Sequence, residues 1–466
     1  METEIYRFID LNHLKSSLTS GSSIFSKLVT FRFNMFDTIS SMDKDRKTNT
    51  FRAFKNRNYR LFFSGQSVSL IGTWMQRTGV SWVVYTMTHS TFMLGLTIFA
   101  SQFPSFLFSL WGGILADRYS RFKILLLTQT CSLIQALLLA ILILTNHFVV
   151  WEILTLSVIL GIVNAFDLPA RQPLVHELIS NKEDIPNALA LNSSMVNVAR
   201  LIGPALSGIV LGKFGAGICF LLNAISFLAV IISLLLIKLP TYTALPIKKN
   251  IFADISDGFV YLQKTKAISL ILLLLSITSL LILPYDTLLP VFANIIFKGD
   301  ATTFGCISSF IGLGAISGTI FLASRKKGSS LKGLLFVNIS LLGIGLILFS
   351  RINYFPIAML FATMSGFGAM SQSTICLTLI QIKTDASMRG RVMSYVAMSY
   401  FGMLPLGSLL IGTISQKIGA PNTLLCQGII AIIVGIFVAA YLKKEKIRKE
   451  DMKQIEEAEE RAVEGI

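Results

Sequence analysis

Two ionisable side chains lie inside long apolar segments: Arg77 within residues 59–88 and Asp286 within residues 267–296. Charged groups at membrane depth are costly and usually mark a pathway or a binding site. An arginine presents five N–H donors to an anion, and a buried carboxylate can pair with it or take up a proton. Two hypotheses follow: an Arg77/Asp286 pair that substrate binding or protonation breaks, or Arg77 alone as the anchor of an anionic substrate. A third, in which either side chain reaches out to the polar interface, stays open.

Polar residues around Arg77 fall on one face of a helix. They form a stripe along an otherwise apolar segment, which is the pattern of a helix that lines a water-filled cavity. Arg77 and Asp286 also lie at nearly the same depth, counted from the starts of their segments. The members of the stripe are Gln66, Ser69, Thr73, Gln76 and Arg77.

Other polar residues in apolar segments are weaker candidates. A single polar residue in such a segment is more often a helix-packing contact than a substrate ligand. Those in the segments 151–170 and 355–381 are Asn164, Thr374, Thr378 and Gln381. Arg200 is a third intramembrane charge, and we expect it either to bind a ligand or to pair with Asp167 or Glu177.

The sequence lacks the signatures of an enzyme or a metal protein. It contains no GxxxxGK[ST] phosphate loop, no HExxH pair and no nucleophile with a histidine base at membrane depth. The five cysteines show no CxxC spacing, and they fall in apolar segments as ordinary core residues do. We therefore expect no catalytic residue, no metal site and no cofactor.

Membrane helices must position these side chains. Of the 466 residues, 53% are hydrophobic and 14% are charged, whereas about a quarter of a soluble protein is charged. A helix needs about twenty apolar residues to cross the hydrocarbon core. Twelve stretches qualify: 59–88, 92–117, 123–145, 151–170, 186–212, 215–238, 267–296, 301–323, 332–350, 355–381, 389–415 and 420–442. The sequence predicts an all-α membrane protein with twelve transmembrane helices.

Basic residues predict the orientation. The formal charge of +16 is spread over short clusters between apolar segments, which disfavours a nucleic-acid partner. Each odd-numbered connection holds at most one lysine or arginine, whereas each even-numbered connection holds two or more. The even-numbered connections and both termini are therefore expected to face the cytoplasm, in the cell inner (cytoplasmic) membrane.

The polar, lysine-bearing stretch 239–266 divides the chain into two six-helix bundles, 51–238 and 267–442. Its second part has apolar residues at helical spacing, typical of an amphipathic helix on the membrane surface. Residues 1–50 and 443–466 are predicted to be cytosolic tails, the first disordered and the second charged. Met35 or Met42 as the true start stays open.

The fifth spans of the two bundles resemble each other. ARLIGPALSGIVLGKFGA (199–216) and YFGMLPLGSLLIGTISQKIGA (400–420) both carry proline and glycines before a basic residue, glycine and alanine. Parallel six-helix repeats are typical of one large transporter architecture. Small residues let helices pack closely, and proline lets them bend. The predicted packing residues are Gly203, Pro204, Gly208, Pro405 and Gly407.

A charged loop, GGILADRYSRFK (112–123), connects the second and third spans. It resembles the corresponding loop of the major facilitator superfamily, although Ser120 stands where that pattern usually has glycine. The resemblance implies a cytoplasmic gate in which Asp117 tethers the two halves, with residues 389–393 as the expected partner. A solvated topology signal is the alternative, and the matching loop of the second half, 324–333, lacks the aspartate. The gate residues are Gly113, Asp117, Arg118, Arg121 and Lys123.

Longer segments resemble one branch of that superfamily, the enterobactin-exporter-like or transmembrane secretion effector group. These are FRAFKNRNYRLFFSGQSVSLIGTWMQ (51–76), FDLPARQPLVHELI (166–179), NALALNSSMVNVARLIGPALSG (187–208) and RGRVMSYVAMSYFGMLPLGSLLIG (389–412). The resemblance implies the major facilitator fold, two pseudo-symmetric bundles with the first, fourth, seventh and tenth spans around a cavity. It also implies a secondary active exporter of a small organic molecule, foremost a siderophore.

The resemblance leaves several alternatives open. ARLIGPALSG (199–208) is similar to part of the superfamily's antiporter signature, which favours the proton gradient as the driving force. Broad drug efflux is the main alternative and import stays open, whereas intramembrane charges disfavour a receptor or scaffold. The expected partners are the lipid bilayer and the substrate, with the chain acting as a monomer that feeds an outer-membrane route.

Overall fold

The protein is built of long helices throughout the described part of the chain. The computed structural model describes residues 51–238, 251–325 and 330–441, and all regular structure within them is helical. The predicted tails and the first part of the linker lie outside these residues. The first half contains α1 (Arg57–Thr88), α2 (Thr91–Arg118), α3 (Arg121–Leu144), α4 (Val150–Glu177) and the segment Ile185–Leu236.

The second half begins with a helix from the linker. Its elements are α7 (Ile251–Lys264), α8 (Lys266–Ile296), α9 (Ala301–Ala323), α10 (Leu331–Arg351), α11 (Phe355–Lys383), α12 (Arg389–Ile418) and α13 (Ala420–Tyr441). The numbers α5 and α6 belong to the two parts of Ile185–Leu236, because its backbone breaks at Gly215. We use α5 for 185–214 and α6 for 216–236.

Length and composition agree with the twelve predicted spans. Nine helices of the described chain are long and apolar enough to cross a membrane, and one of these nine is the segment that Gly215 divides into α5 and α6. The two helices that complete the set, α1 and α11, have 32 and 29 residues and a more polar composition. The predicted all-α membrane fold is confirmed.

Two glycines mark equivalent turns in the two halves. Gly215 joins α5 to α6 with a φ of 81°, and Gly419 joins α12 to α13 with a φ of 82°. Residues other than glycine rarely adopt this left-handed conformation. The same two sites carry the repeated basic–Gly–Ala pattern of the sequence, so the repeat corresponds to a shared backbone turn.

The helices of each half pack mainly on one another. In the first half, α1 and α3 pack along the segment Ile185–Leu236, and α2 packs along α4. In the second half, α9 and α10 both pack on α11. Contacts between the halves come chiefly from two helix pairs: α2 with α12, and Ile185–Leu236 with α9. The remaining faces of the two halves are left to border a cavity.

Helix α8 is irregular where it carries Asp286. Its α-helical part ends at Leu281, and a tight 3₁₀ segment, Leu283–Leu288, follows. Pro284 has no N–H to donate to the preceding turn, which ends the regular helix. The backbone around Asp286 is therefore 3₁₀ rather than α-helical.

Helix α7 forms where the linker sequence predicts a surface helix, and it docks on the start of α12. Asp257 lies 3.3 Å from the guanidinium of Arg391. The Tyr261 hydroxyl donates a hydrogen bond to Asp385 at 3.0 Å and accepts one from the Asp385 backbone at 3.2 Å. The linker helix thus contacts the helix that opens onto the cavity.

Candidate functional site

A cavity of about 1580 Å³ lies between the two halves, larger than the roughly 300–1,000 Å³ of most small-molecule pockets. Helices α1, α2, α4 and α5 line it from the first half, and α8, α9, α11 and α12 from the second. On α1 the lining residues recur every three or four positions and include Gln66, Thr73 and Arg77. One face of α1 therefore meets the cavity.

The cavity extends from the middle of the helices to one end only. On α2 its lining runs from Ile98 to Leu110, although the helix starts at Thr91. On α12 the lining stops at Leu404, although the helix continues to Ile418. The cavity therefore opens at the end of the molecule where the basic, even-numbered connections lie.

At the opposite end, α2 and α12 are in direct contact, which we call the α2–α12 seal. The side-chain oxygen of Gln416 accepts hydrogen bonds from the Thr91 backbone N–H at 3.0 Å and from the hydroxyls of Ser90 and Thr91 at 3.1 and 3.2 Å. A Cβ at Gly412 would lie 2.5 Å from the Thr91 carbonyl oxygen. The seal thus combines a side-chain cap on α2 with close backbone packing.

Helices α5 and α9 close the same end. The Thr302 hydroxyl donates to the Gly208 carbonyl at 3.3 Å, and the Ser309 hydroxyl donates to the Leu201 carbonyl at 3.0 Å. A Cβ at Gly208 would lie 2.9 Å from the Ala301 carbonyl oxygen. The predicted packing glycine Gly208 thus lies at a contact between the two halves.

Two arginines meet on one tryptophan in the cavity wall. The guanidinium carbons of Arg77, from α1, and Arg200, from α5, each lie 5.2 Å from the ring centroid of Trp74. All three side chains line the cavity. A Cβ at Gly203 would collide with the Trp74 side chain, so this glycine lets α1 and α5 approach closely. We call Trp74, Arg77 and Arg200 the arginine cluster.

Asp286 faces the same cavity from α8. Its side chain is exposed, lines the cavity and interacts electrostatically with both Arg77 and Arg200. No ion pair within 4.0 Å joins Asp286 to either arginine across the described ranges. The structure therefore places the predicted partners around one space without direct contact in this conformation.

A side chain of α13 stabilises the break in α8 next to Asp286. The side-chain nitrogen of Gln427, on α13, donates to the carbonyl oxygens of Leu281 and Ile282 at 3.1 and 3.3 Å. These carbonyls lie where the regular helix stops, and freed backbone groups in membrane helices need new partners. The predicted packing residue Gly407, on α12, packs against the Leu280 carbonyl, and Pro405 is buried on α12 as well.

The expected ion pairs of Arg200 are wrong. Asp167 is 2% exposed and accepts hydrogen bonds from Arg171, from Thr128 at 2.9 Å and from Gln129 at 2.7 Å. Glu177 pairs with Arg121 at 2.5 Å. Both carboxylates are occupied by nearer partners, and Arg200 contacts the Met370 sulfur at 3.7 Å instead.

Five predicted lining residues lie outside the lining of this cavity: Ser69, Gln76, Thr374, Thr378 and Gln381. Gln76 is 3% exposed and is buried inside the first half, where it donates to Gln135 at 3.0 Å and accepts from Asn223 at 2.7 Å. The Thr378 hydroxyl donates to the backbone of its own helix, at Thr374, and does not border the cavity described here. Asn164 does line the cavity.

The charged loop after α2 lies at the open end. Asp117, Arg118 and Lys123 are exposed there. The close helix contact is at Gly112, where a Cβ would collide with the Ala165 carbonyl, whereas a Cβ at Gly113 would meet open space. The close contact between α2 and α4 is therefore at Gly112 and not at the predicted gate residue Gly113.

Sequence reasoning missed two residues of this site. Trp74 is an aromatic residue on an otherwise amphipathic helix, a pattern that packing alone explains, so nothing in the sequence singles it out. Gln427 lies on α13, five helices after α8 in the chain, and only the fold brings it to the break in α8.

Comparisons with known proteins agree with the fold. Residues 48–465 match the family described as transmembrane secretion effector. The staphyloferrin A transporter of Staphylococcus aureus is 28% identical over 404 residues, which covers 84% of this chain and 98% of that protein. Macrolide efflux protein A of Streptococcus pyogenes is 21% identical, with 86% and 100% covered. The enterobactin exporter of Salmonella choleraesuis is 24% identical, with 82% and 92% covered.

A solved structure shows the same architecture. A POT family transporter, crystallised with 5-aminolevulinic acid, superimposes with a TM-score of 0.66 at 15% sequence identity. The match covers 84% of this chain and 96% of the other. At this identity the likeness concerns the fold alone, and it confirms the predicted arrangement of helices.

Proposed function

The chain belongs to the transmembrane secretion effector family of major facilitator transporters, and from this membership we propose that it exports a small organic molecule by alternating access. The cavity supports this most directly: it is open at one end, sealed at the other by two helix pairs, and holds charged residues at its centre. A transporter needs these features, because it must expose one site to each side in turn.

A siderophore is the substrate class we propose first. Two of the relatives are named for the transport or export of such compounds, and 98% of one of them is covered by the match. The volume of about 1580 Å³ accommodates a large molecule. Broad drug efflux is the second candidate, because the relative named for macrolide efflux is covered over its whole length.

We propose proton antiport as the driving mechanism, with Asp286 as the group that carries the proton. Asp286 lies in the cavity near two arginines without a direct ion pair, so both its charged and its protonated forms can be accommodated. By the positive-inside rule the open end and both termini would face the cytoplasm. We further propose that the protein acts as a monomer in the inner membrane and delivers its substrate to an outer-membrane route.

Deletion of the gene tests the export proposal. Iron-limited cultures of the deletion strain would be assayed for chelator in the medium and inside the cells. We expect loss of secretion with intracellular accumulation, because the proposed route out is missing. Wild type should restore secretion, whereas Arg77→Ala and Asp286→Asn should not. Arg60→Ala, on the same helix but outside the cavity lining, is the matched control and should behave as wild type.

The outcomes separate the proposals. Normal secretion by the deletion strain would reject siderophore export and favour drug efflux, which the resistance of the same strain to toxic compounds would measure. Rescue by both cavity variants would keep the exporter and reject the assigned residues. In proteoliposomes, transport without counter-movement of protons would reject antiport.

A further inference from the structure

The charges on the cavity wall do not balance. The charged lining residues in the described part of the chain are Arg77, Asp167, Arg171, Arg200, Asp286 and Arg391. Arg171 pairs with Asp167, and Arg391 pairs with Asp257 at 3.3 Å. The centre therefore holds two positive charges, Arg77 and Arg200, against the single negative charge of Asp286. An excess of one charge at membrane depth is costly, so such a site favours a ligand of opposite sign.

The two arginines also retain free hydrogen-bond donors. No described hydrogen bond uses the Arg77 side chain, and the only one made by Arg200 goes to the sulfur of Met370. The side-chain nitrogen of Gln102, on the α2 wall, is buried without a hydrogen-bond partner in the described ranges. The site thus presents donors in excess of acceptors, and an acceptor-rich ligand would satisfy them.

The tryptophan keeps the two guanidinium groups close to each other. Because each lies 5.2 Å from the same ring centroid, they can be no further apart than twice that distance. Contact with an indole ring holds a guanidinium in place while its N–H groups stay available. A planar guanidinium binds a carboxylate through two parallel hydrogen bonds. The cluster therefore matches carboxylates carried on one small skeleton.

We infer that the arginine cluster binds a polycarboxylate substrate, with one carboxylate on Arg77 and a second on Arg200. The inference rests on the proposed transport function and narrows its substrate class. A hydroxycarboxylate chelator has this chemistry, because carboxylate oxygens are also the ligands that hard metal ions take. Asp286 faces the bound molecule from α8, where it repels additional negative charge and accepts hydrogen bonds from hydroxyl groups. Neutral or cationic drugs lack the charge that the cluster requires.

Binding of citrate to the purified full-length protein tests this inference. Isothermal titration would compare citrate with trimethyl citrate, a neutral ester with the same skeleton. We expect citrate to bind and the ester not to bind. Arg77→Gln and Arg200→Gln should each weaken citrate binding by about tenfold to one-hundredfold, because each removes a charge-assisted contact. Arg77→Lys keeps the positive charge but lacks the parallel N–H groups of the guanidinium, so it should lose less citrate affinity than Arg77→Gln.

Asp286→Asn should change citrate affinity in the opposite direction. Removal of its negative charge should strengthen citrate binding by about threefold to tenfold, since a like charge near the ligand disappears. A residue with a merely structural role would not produce this gain. Arg60→Gln, on the same helix as Arg77 but outside the cavity lining, should bind citrate as wild type does. Thermal unfolding of each variant would identify any that fail to fold.

Four results would overturn the inference: no citrate binding by wild type, equal binding of the ester, unchanged citrate binding by the arginine variants, or weaker binding by Asp286→Asn. Secretion and citrate binding, measured together, distinguish failure of the export proposal from failure of this inference. If the deletion strain secretes normally but citrate binds as expected, the anion site stands and the export assignment fails. If secretion is lost but the arginine variants bind citrate normally, the exporter stands and the polycarboxylate assignment fails.

Discussion

Removal of the Gln416 side chain should weaken the α2–α12 seal. In Gln416→Ala, the Thr91 N–H and the hydroxyls of Ser90 and Thr91 lose an acceptor now 3.0–3.2 Å away. A hydrogen bond contributes about 0.5–1.5 kcal/mol net, and water replaces part of it at this exposed end. We expect the conformation with this seal closed to be destabilised by about 1–2 kcal/mol. The population in which α2 and α12 have separated at this end should rise by about 5- to 30-fold.

A cysteine at Ser408 would report the change. Ser408 is 2% exposed and lies on α12, where its carbonyl meets Gly95 of α2. In a variant without the five native cysteines, a membrane-impermeant maleimide should label Ser408→Cys faster when Gln416 is also replaced. Gln381→Ala is the matched control, since this exposed glutamine of α11 makes no described side-chain hydrogen bond. Equal labelling rates with and without Gln416 would refute its role in the seal.

Two substitutions test the contacts that position Asp286 and the arginine cluster. Gln427→Leu leaves the carbonyls at the α8 break without a donor and should lower the free energy of unfolding by about 1–3 kcal/mol; an unchanged thermal or denaturant midpoint in detergent would contradict this role. Gly203→Val places a side chain against Trp74 and should cost about 1–3 kcal/mol through overpacking. It should also shift the fluorescence of Trp74 in a variant whose other tryptophans are phenylalanine, and an unchanged emission spectrum would argue against close contact between α1 and α5.

Periodicity and charge predicted the parts of this protein that depend on local chemistry. Apolar length identified the spans, because crossing the hydrocarbon core requires it of each helix separately. The polar stripe of α1 correctly placed Gln66, Thr73 and Arg77 on one face. The end of the regular part of α8 is also a local effect, because Pro284 lacks the N–H that the preceding turn would need.

Features that depend on contacts between helices were beyond the same reasoning. In the sequence, a polar stripe that lines a cavity has the same pattern as one that contacts polar side chains of another helix. Gln76 belongs to the stripe but hydrogen-bonds to Gln135 and Asn223. One of the two expectations for Arg200 was a pair with Asp167 or Glu177, but Asp167 already has Arg171 one helical turn away. The position of Trp74 between two arginines depends on the approach of α5 to α1, which no local pattern encodes.

The excess positive charge of the cavity has a consequence for the transport cycle. In the proposed antiport cycle, a proton on Asp286 would raise the affinity of the arginines for an anion, and a bound anion would raise the proton affinity of Asp286. Strict exchange would therefore require the proton to bind only after the anion has left. An empty cavity then carries net positive charge while it turns from the outside to the inside of the cell. The membrane voltage, negative inside, favours that movement by about 2.3 kcal/mol per charge and 100 mV. A bound anion cancels much of this charge, so voltage would drive the return of the empty protein and have little influence on the outward step.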